Sequence, residues 1–213
     1  MKKVICFDVN GTLVEENSWE LFTQGDKLIE KEIEEIFKGY YSGKKLIDDA
    51  WGELVVLLKR IGKSNKDFIH SCWGQSNTFK EGARDIVKYL KEKDYQIYLI
   101  SCSIDIYLEC IVEELKIDGF YAGSHLMFDS SGELNKITSE CVKGREYKKE
   151  KLKELAEKEH IAIEDVIFVG DGDNDIGVFE MTKHGIAMGN QNEKLLNCSW
   201  KKIKSLIEIK DIL

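Results

Sequence analysis

Three polar clusters in this chain each follow directly on an apolar run, and each holds residues able to do nucleophilic or metal chemistry. Val4-Ile5-Cys6-Phe7 leads into Asp8-Val9-Asn10-Gly11-Thr12. Gln96-Ile97-Tyr98-Leu99-Ile100 leads into Ser101, and Val166-Ile167-Phe168-Val169 leads into Gly170-Asp171-Gly172-Asp173-Asn174-Asp175. Short β-branched and aromatic runs bounded by turn residues predict buried strands. Polar residues at the C-terminal ends of parallel strands share one sheet edge, the edge where open α/β sheets bind ligands. Two carboxylates gathered there repel, and a hard divalent cation relieves the repulsion. Mg2+ takes a few oxygen ligands and leaves its other positions to water or phosphate oxygens. Asp8 with Asp171, Asp175 or both are the candidate ligands. Alone, Asp8 reads equally well as the start of an ordinary turn; the repetition of the pattern argues against that.

The elements that must position these clusters alternate only in the second part of the chain. Residues 26–40, 47–61 and 66–72 carry apolar residues at helical spacing, with no convincing strand between 15 and 77. From residue 78 onward, helices at 81–93, 105–115 (capped by Ser103) and 148–160 separate strands at 96–100 and 166–169. A hairpin turns at Ser130-Ser131-Gly132, and a strand at 186–188, a polar turn at Gly189-Asn190 and a helix at 201–209 close the chain. The prediction is an α/β protein: a Rossmann-like, doubly wound parallel-sheet core from 1–14 and 78–213, with an α-helical cap inserted at 15–77.

The 213 residues suffice for one large core plus a small lobe. A net charge of −8 argues against a nucleic-acid partner, because no phosphate-neutralising basic excess exists. No run approaches 18 apolar residues and the first strand starts at residue 4, so neither a membrane span nor a signal peptide is expected, and the expected location is cytoplasmic. The six cysteines lack metal-site pairing and read as small buried hydrophobes in a reducing compartment, rather than disulfides or zinc ligands. The four histidines show no ligand spacing. Either a monomer or a homodimer is compatible with the sequence.

In order along the chain, Asp-Val-Asn-Gly-Thr at 8–12, Ser101 after Leu99-Ile100, Lys148, and the complete Gly-Asp-Gly-Asp-Asn-Asp at 170–175 resemble the four motifs of the haloacid dehalogenase superfamily. The resemblance spans nearly the whole chain and points to the phosphoserine-phosphatase-like branch with a helical cap; Thr78 to Ala83 resembles that branch's passage from cap to core. It implies Mg2+-dependent hydrolysis of a small phosphorylated metabolite. Asp8 would attack phosphorus and form an aspartyl-phosphate. Asp8, Asp171, Asp175 and the backbone carbonyl of Asn10 would hold or orient the metal. Gly11, Ser101, Lys148 and Asn174 would surround the phosphate with Asp8. Lys149 and Lys143 remain alternatives to Lys148, and Thr12 serves either the turn or the acid/base group.

Asn10 departs from the pattern, since family phosphatases usually place there the aspartate that protonates the leaving alcohol and activates water. An amide keeps the shape but cannot exchange that proton. Three readings follow: an introduced substitution, a naturally slow phosphatase, or a phospho-ligand-binding or regulatory protein with a disabled site. The cap departs too. The glutamate and arginine that grip phosphoserine correspond to Asn17, with Glu15 and Glu16 nearby, and to Leu54, with Arg60 the nearest arginine. Phosphoserine is therefore not the expected substrate. Trp19, Phe22, Trp51 and Trp73 either pack the cap or line a pocket for an apolar leaving group.

Overall fold

The computed structural model describes residues 2–213 except 16, 17, 20, 21, 24, 76–78, 142, 143, 190 and 191, and omits the side chains of 72–75. Seven strands form one sheet in the order β4-β3-β2-β1-β5-β6-β7. They are β1 (Lys3–Phe7), β2 (Tyr95–Ile104), β3 (Gly119–Phe128), β4 (Leu134–Ser139), β5 (Ile167–Gly170), β6 (Gly185–Met188) and β7 (Lys201–Ile203). All neighbours are parallel except the β3–β4 hairpin. A parallel sheet needs both faces covered, and alternation along β1 meets that need. Ile5 and Phe7 face a core shared with α4 (Ala83–Glu92) and α5 (Asp105–Leu115), while Val4 and Cys6 face one shared with α6 (Gly144–Glu159) and α7 (Ile176–Thr182).

Between β1 and α4 lie three cap helices, α1 (Lys27–Tyr41), α2 (Ile47–Arg60) and α3 (Lys66–Gln75). Asp26 caps α1 by accepting from the Leu28 and Ile29 amides at 2.9 and 3.4 Å. Trp51, Leu54, Leu57 and Leu58 of α2 are buried and join the first core. Trp19 stacks on Trp51, and both also line a cavity in the cap together with Phe37 and Tyr41, so they serve packing and a pocket wall alike. Trp73's side chain lies outside the described residues. Among the described residues no helix is long and apolar enough to cross a membrane.

Several local expectations are corrected. The strand leading to Ser101 does not stop there: β2 continues to Ile104 through a register shift against β3, so Ser103 is a buried strand residue and not a helix cap. Asp105 opens α5 instead, its carboxylate accepting from the Ile106 and Leu126 amides at 2.9 and 3.2 Å. Helix α6 starts at Gly144, which places Lys148 one turn inside it rather than at its start. The predicted last helix is a strand, β7, that covers the open edge of β6, followed by a 3-10 turn at Leu206–Asp211. Helix α8 (Glu193–Cys198) is too short to leave a periodic signal.

The cysteine expectation also fails at one pair, because Cys102 and Cys141 form a disulfide across 39 residues of sequence. They meet because β3 lies between their segments and Gly123 opposite them has no side chain to intervene. Among the described side chains, which leave out that of Cys72, Cys6, Cys110 and Cys198 are free, and of these Cys6 alone is fully buried. Burial pushes its thiol well above the usual range, which makes it inert.

Candidate active site

Register sets the site. Phe7 pairs with Leu99 on one side and Val169 on the other, so Asp8 stands level with Ile100 and Gly170, one residue short of Ser101 and of Asp171. The Asp8 amide still donates to the Val169 carbonyl at 2.9 Å, so the nucleophile candidate is held by sheet hydrogen bonding rather than by a loose loop.

Beyond Asp8 the chain folds back sharply. The amides of Thr12, Leu13 and Val14 all converge on the Val9 carbonyl at 3.2, 2.9 and 3.1 Å, and the Gly11 amide donates to Val14 at 2.9 Å. Gly11 has φ +77°, and a Cβ there would stand 2.3 Å from Oδ2 of Asp171. Glycine is required twice, by the left-handed backbone and by the carboxylate lying against it. Thr12 donates its hydroxyl to Asp171 Oδ1 at 3.0 Å, so its partner is the second strand's carboxylate.

Asp8, Asp171 and Asp175 each offer an oxygen within 4.8 Å of the others'. Lys148 enters from α6 with its Nζ 2.9 Å from Asp8 Oδ1 and 2.6 Å from Asp175 Oδ1. Burial alone would pull Lys148 down, but Asp175 and Asp8 outweigh it and hold the amine above its ordinary value, charged at neutral pH. Burial pushes Asp175 up, against the attraction of Lys148. Its other oxygen accepts the amides of Asp171 and Gly172 at 3.1 and 3.0 Å, which folds the acidic loop around it. Burial and then the charge of Asp8 push Asp171 up, with Thr12, Lys148 and Lys80 opposing.

Three carboxylates therefore face one buried ammonium, and the excess negative charge falls between Asp8 and Asp171. The donors are hard oxygens, and among the described residues no backbone amide donates to the Asn10 carbonyl. That set suits a divalent cation of the Mg2+ type.

The remaining expected residues make fewer bonds. Ser101 is buried and its Oγ accepts the Ser103 amide at 3.3 Å. Oδ1 of Asn10 is buried and has no hydrogen-bond partner among the described residues. Asn174 packs against Gly144 at the start of α6. Lys149 turns outward to Glu146 at 3.1 Å, which leaves Lys148 as the inward lysine; Lys143, Glu16 and Asn17 lie outside the described residues, as does Asn190. Glu15 pairs with Lys80 at 3.4 Å. Lys80 was not foreseen: it lines, with Gly11, Asp171 and Asp173, a cavity of about 780 Å³. The only sequence signal for it is its place in the Thr78–Ala83 passage.

A family model of haloacid dehalogenase-like hydrolases matches residues 5–180. The chain belongs to this family. Within it the chain falls in the phosphoserine-phosphatase-like branch, and its site is of the phosphatase type. It is 30% identical over 184 residues to the phosphoserine phosphatase of Methanocaldococcus jannaschii, covering 84% of this chain and 82% of that protein. Among solved structures, a substrate-bound phosphoserine phosphatase complex superposes with TM-score 0.74 at 27% identity, covering 100% of this chain and 99% of the other. A phospho-aspartyl intermediate analogue of phosphoserine phosphatase superposes with TM-score 0.73 at 28% identity, with the same coverage.

Proposed function

We propose that this chain is a cytoplasmic, Mg2+-dependent phosphatase that hydrolyses a small phosphomonoester other than phosphoserine through an aspartyl-phosphate on Asp8. The observation that carries the reading is the buried Lys148 fixed between Asp8 and Asp175, with Asp171 within ligand reach of both. The phospho-aspartyl analogue of a relative supports the same route.

In this reading Asp8 attacks phosphorus while Lys148 and Ser101 hold nonbridging oxygens, where charge must be stabilised during transfer. Asp8, Asp171 and the Asn10 carbonyl would hold the cation, with Asp175 orienting Asp171 and the loop. When bound, it supplies Lewis-acid neutralisation of phosphate and nucleophile. The leaving alkoxide takes its proton from water, because Asn10 has none to give; water then hydrolyses the acyl-phosphate and regenerates Asp8. This favours substrates with acidic leaving groups. Asn10 also favours a second reading, a protein that binds a phosphorylated ligand and turns it over poorly.

The substrate exclusion follows from where the arginines are. The chain has three, and none takes the clamp position: Arg60 pairs with Glu32 and Arg84 with Glu114 at the surface, and Arg145 Nε donates to the Asp173 carbonyl at 2.7 Å. Leu54, at the clamp position, is wholly buried. The clamp position therefore offers no guanidinium for a bidentate grip on a substrate carboxylate.

The test compares the chain with Asn10→Asp for Mg2+-dependent phosphate release from an aryl phosphate, with Asp8→Asn as control. Restoring the carboxyl should raise kcat by roughly 10²- to 10⁴-fold, and Asp8→Asn should abolish it. Activity that survives Asp8→Asn would sink the covalent route. Comparable kcat/KM for phosphoserine and the aryl ester in the Asn10→Asp variant would sink the substrate exclusion.

A further inference from the structure

Cys102 immediately follows Ser101, and Cys141 stands three residues before α6, whose first turn leads to Lys148. Their disulfide, with Cα atoms 5.6 Å apart, therefore ties together the two segments that present the proposed phosphate-holding side chains. The surroundings are fitted to it. A Cβ on Gly123 would stand 2.3 Å from the Cys141 sulfur and 3.0 Å from Cys102 Cα. A Cβ on Gly144 would stand 3.4 Å both from the Cys102 sulfur and from Asn174 Cβ. Around the bond the backbone is pinned: Ser124 Oγ donates to the Cys102 carbonyl at 3.1 Å, the Cys141 amide to Ser139 Oγ at 3.2 Å, and the Glu140 amide to the Gly123 carbonyl at 2.8 Å. Both cysteines are partly buried, neither sealed in the core.

We propose that Cys102–Cys141 is a reversible dithiol–disulfide site that sets the geometry of the phosphate cradle, a reading that rests on the phosphatase assignment above. In the cytoplasmic location proposed above, a disulfide is more often transient and redox-sensing than structural. The bond forms by exchange with a low-molecular-weight disulfide. One cysteine thiolate attacks it and expels one small thiol, and the second cysteine attacks the mixed disulfide and expels the other. Two cysteine thiols are oxidised, the small disulfide is reduced to two thiols, and both protons leave with them.

The assembled cradle belongs to the disulfide form. Two unbonded thiols must move to van der Waals separation, and Gly123 leaves no slack on one side. The displacement then passes to Ser101 and β2, or to the segment leading into α6 and Lys148. A misplacement of about 1 Å at reacting groups can cost up to ~10²-fold in rate, so reduction is expected to weaken phosphate binding and kcat/KM by about tenfold.

The full chain with Mg2+ is equilibrated with glutathione disulfide or with excess dithiothreitol, free thiols are counted, and two quantities are read in each state. One is the affinity for inorganic phosphate by calorimetry, and the other is kcat and KM on an aryl phosphate. Reduction should weaken phosphate binding and raise KM, and reoxidation should restore both. Cys141→Ser should hold the reduced values under both treatments. Redox-dependent phosphate binding without hydrolysis in either state would uphold the site while removing the phosphatase reading. Phosphate binding and kinetics that are equal in both states, no phosphate binding in either, or a bond that dithiothreitol leaves closed in the folded protein would each overturn it.

Discussion

Lys148 Nζ lies 2.6 Å from Asp175 Oδ1, with both side chains wholly buried. The same ammonium reaches Asp8, so it neutralises one carboxylate that shapes the acidic loop and another at the end of β1. Removing one member of a buried ionic set strands the others. Lys148→Met should destabilise the metal-free protein by about 3 kcal/mol, read by urea unfolding in chelator. Added Mg2+ should recover part of that loss, because the cation offsets the charge the lysine leaves behind. Turnover in the Asn10→Asp background should fall by roughly 10²- to 10³-fold. Unchanged stability in chelator would show that the triad does not need this lysine.

Metal affinity should depend on pH in a set direction. Asp171 is pushed up by burial and by Asp8, so in the metal-free protein it keeps its proton to higher pH than an ordinary aspartate. The cation must displace that proton. Mg2+ affinity should therefore be weak at acid pH and rise as pH passes through the raised Asp171 value, then level off. Calorimetric titrations across that range check this, and Asp171→Asn should weaken binding and remove the Asp171 part of the pH dependence, leaving that of Asp175, which burial also pushes up. An affinity independent of pH for the unaltered protein would contradict the assignment of Asp171 as a ligand.

Much of this site was legible because its signal is local. A four-residue apolar run ending in Asp8 or Asp171 marks a buried strand and its C-terminal edge, and parallel pairing then brings the two carboxylates together. What stayed illegible depends on register and long-range approach. Nothing in the Ser101–Ile104 run announces the bulge that keeps Ser103 in the strand, and nothing near Cys102 announces a partner 39 residues away. Lys148 could be preferred over Lys149 by motif position alone. Only the helix phase, set by a start at Gly144, turns one inward and the other to Glu146.

Away from the site, Glu159 at the end of α6 accepts from Tyr98 at 2.6 Å and pairs with Lys2 near the start of the chain. Lys2 and Tyr98 hold its carboxyl below the ordinary glutamate value, against burial. A depressed carboxyl contributes stability that is present above its unfolded value and is lost as pH falls through the folded one. Glu159→Gln should thus lower Tm at neutral pH and converge with the unaltered protein only once pH has fallen below the depressed folded value, where both side chains are uncharged. Thermal melts at both ends of the range decide it; an equal deficit at acid pH would point to packing rather than to charge.

Gly11→Ala separates site geometry from fold. The new methyl would occupy the place of Asp171 Oδ2, 2.3 Å away, and φ +77° disfavours it further. The backbone strain costs on the order of 1–2 kcal/mol, tolerable for a domain of ordinary stability. The carboxylate cannot stay where it is, because Thr12 holds its other oxygen from the same turn. Asp171 must rotate away from Asp8, and the cation site opens. The variant should fold with a modestly lowered Tm while Mg2+ affinity falls by at least about tenfold, a larger effect than the stability loss explains. Gly170→Ala, whose Cβ would meet Asp175 at 2.4 Å, should instead disturb the loop and Lys148 together and lose more stability. If Gly11→Ala bound Mg2+ as tightly as the unaltered chain, Asp171 would not be the oxygen donor on that side of Asp8.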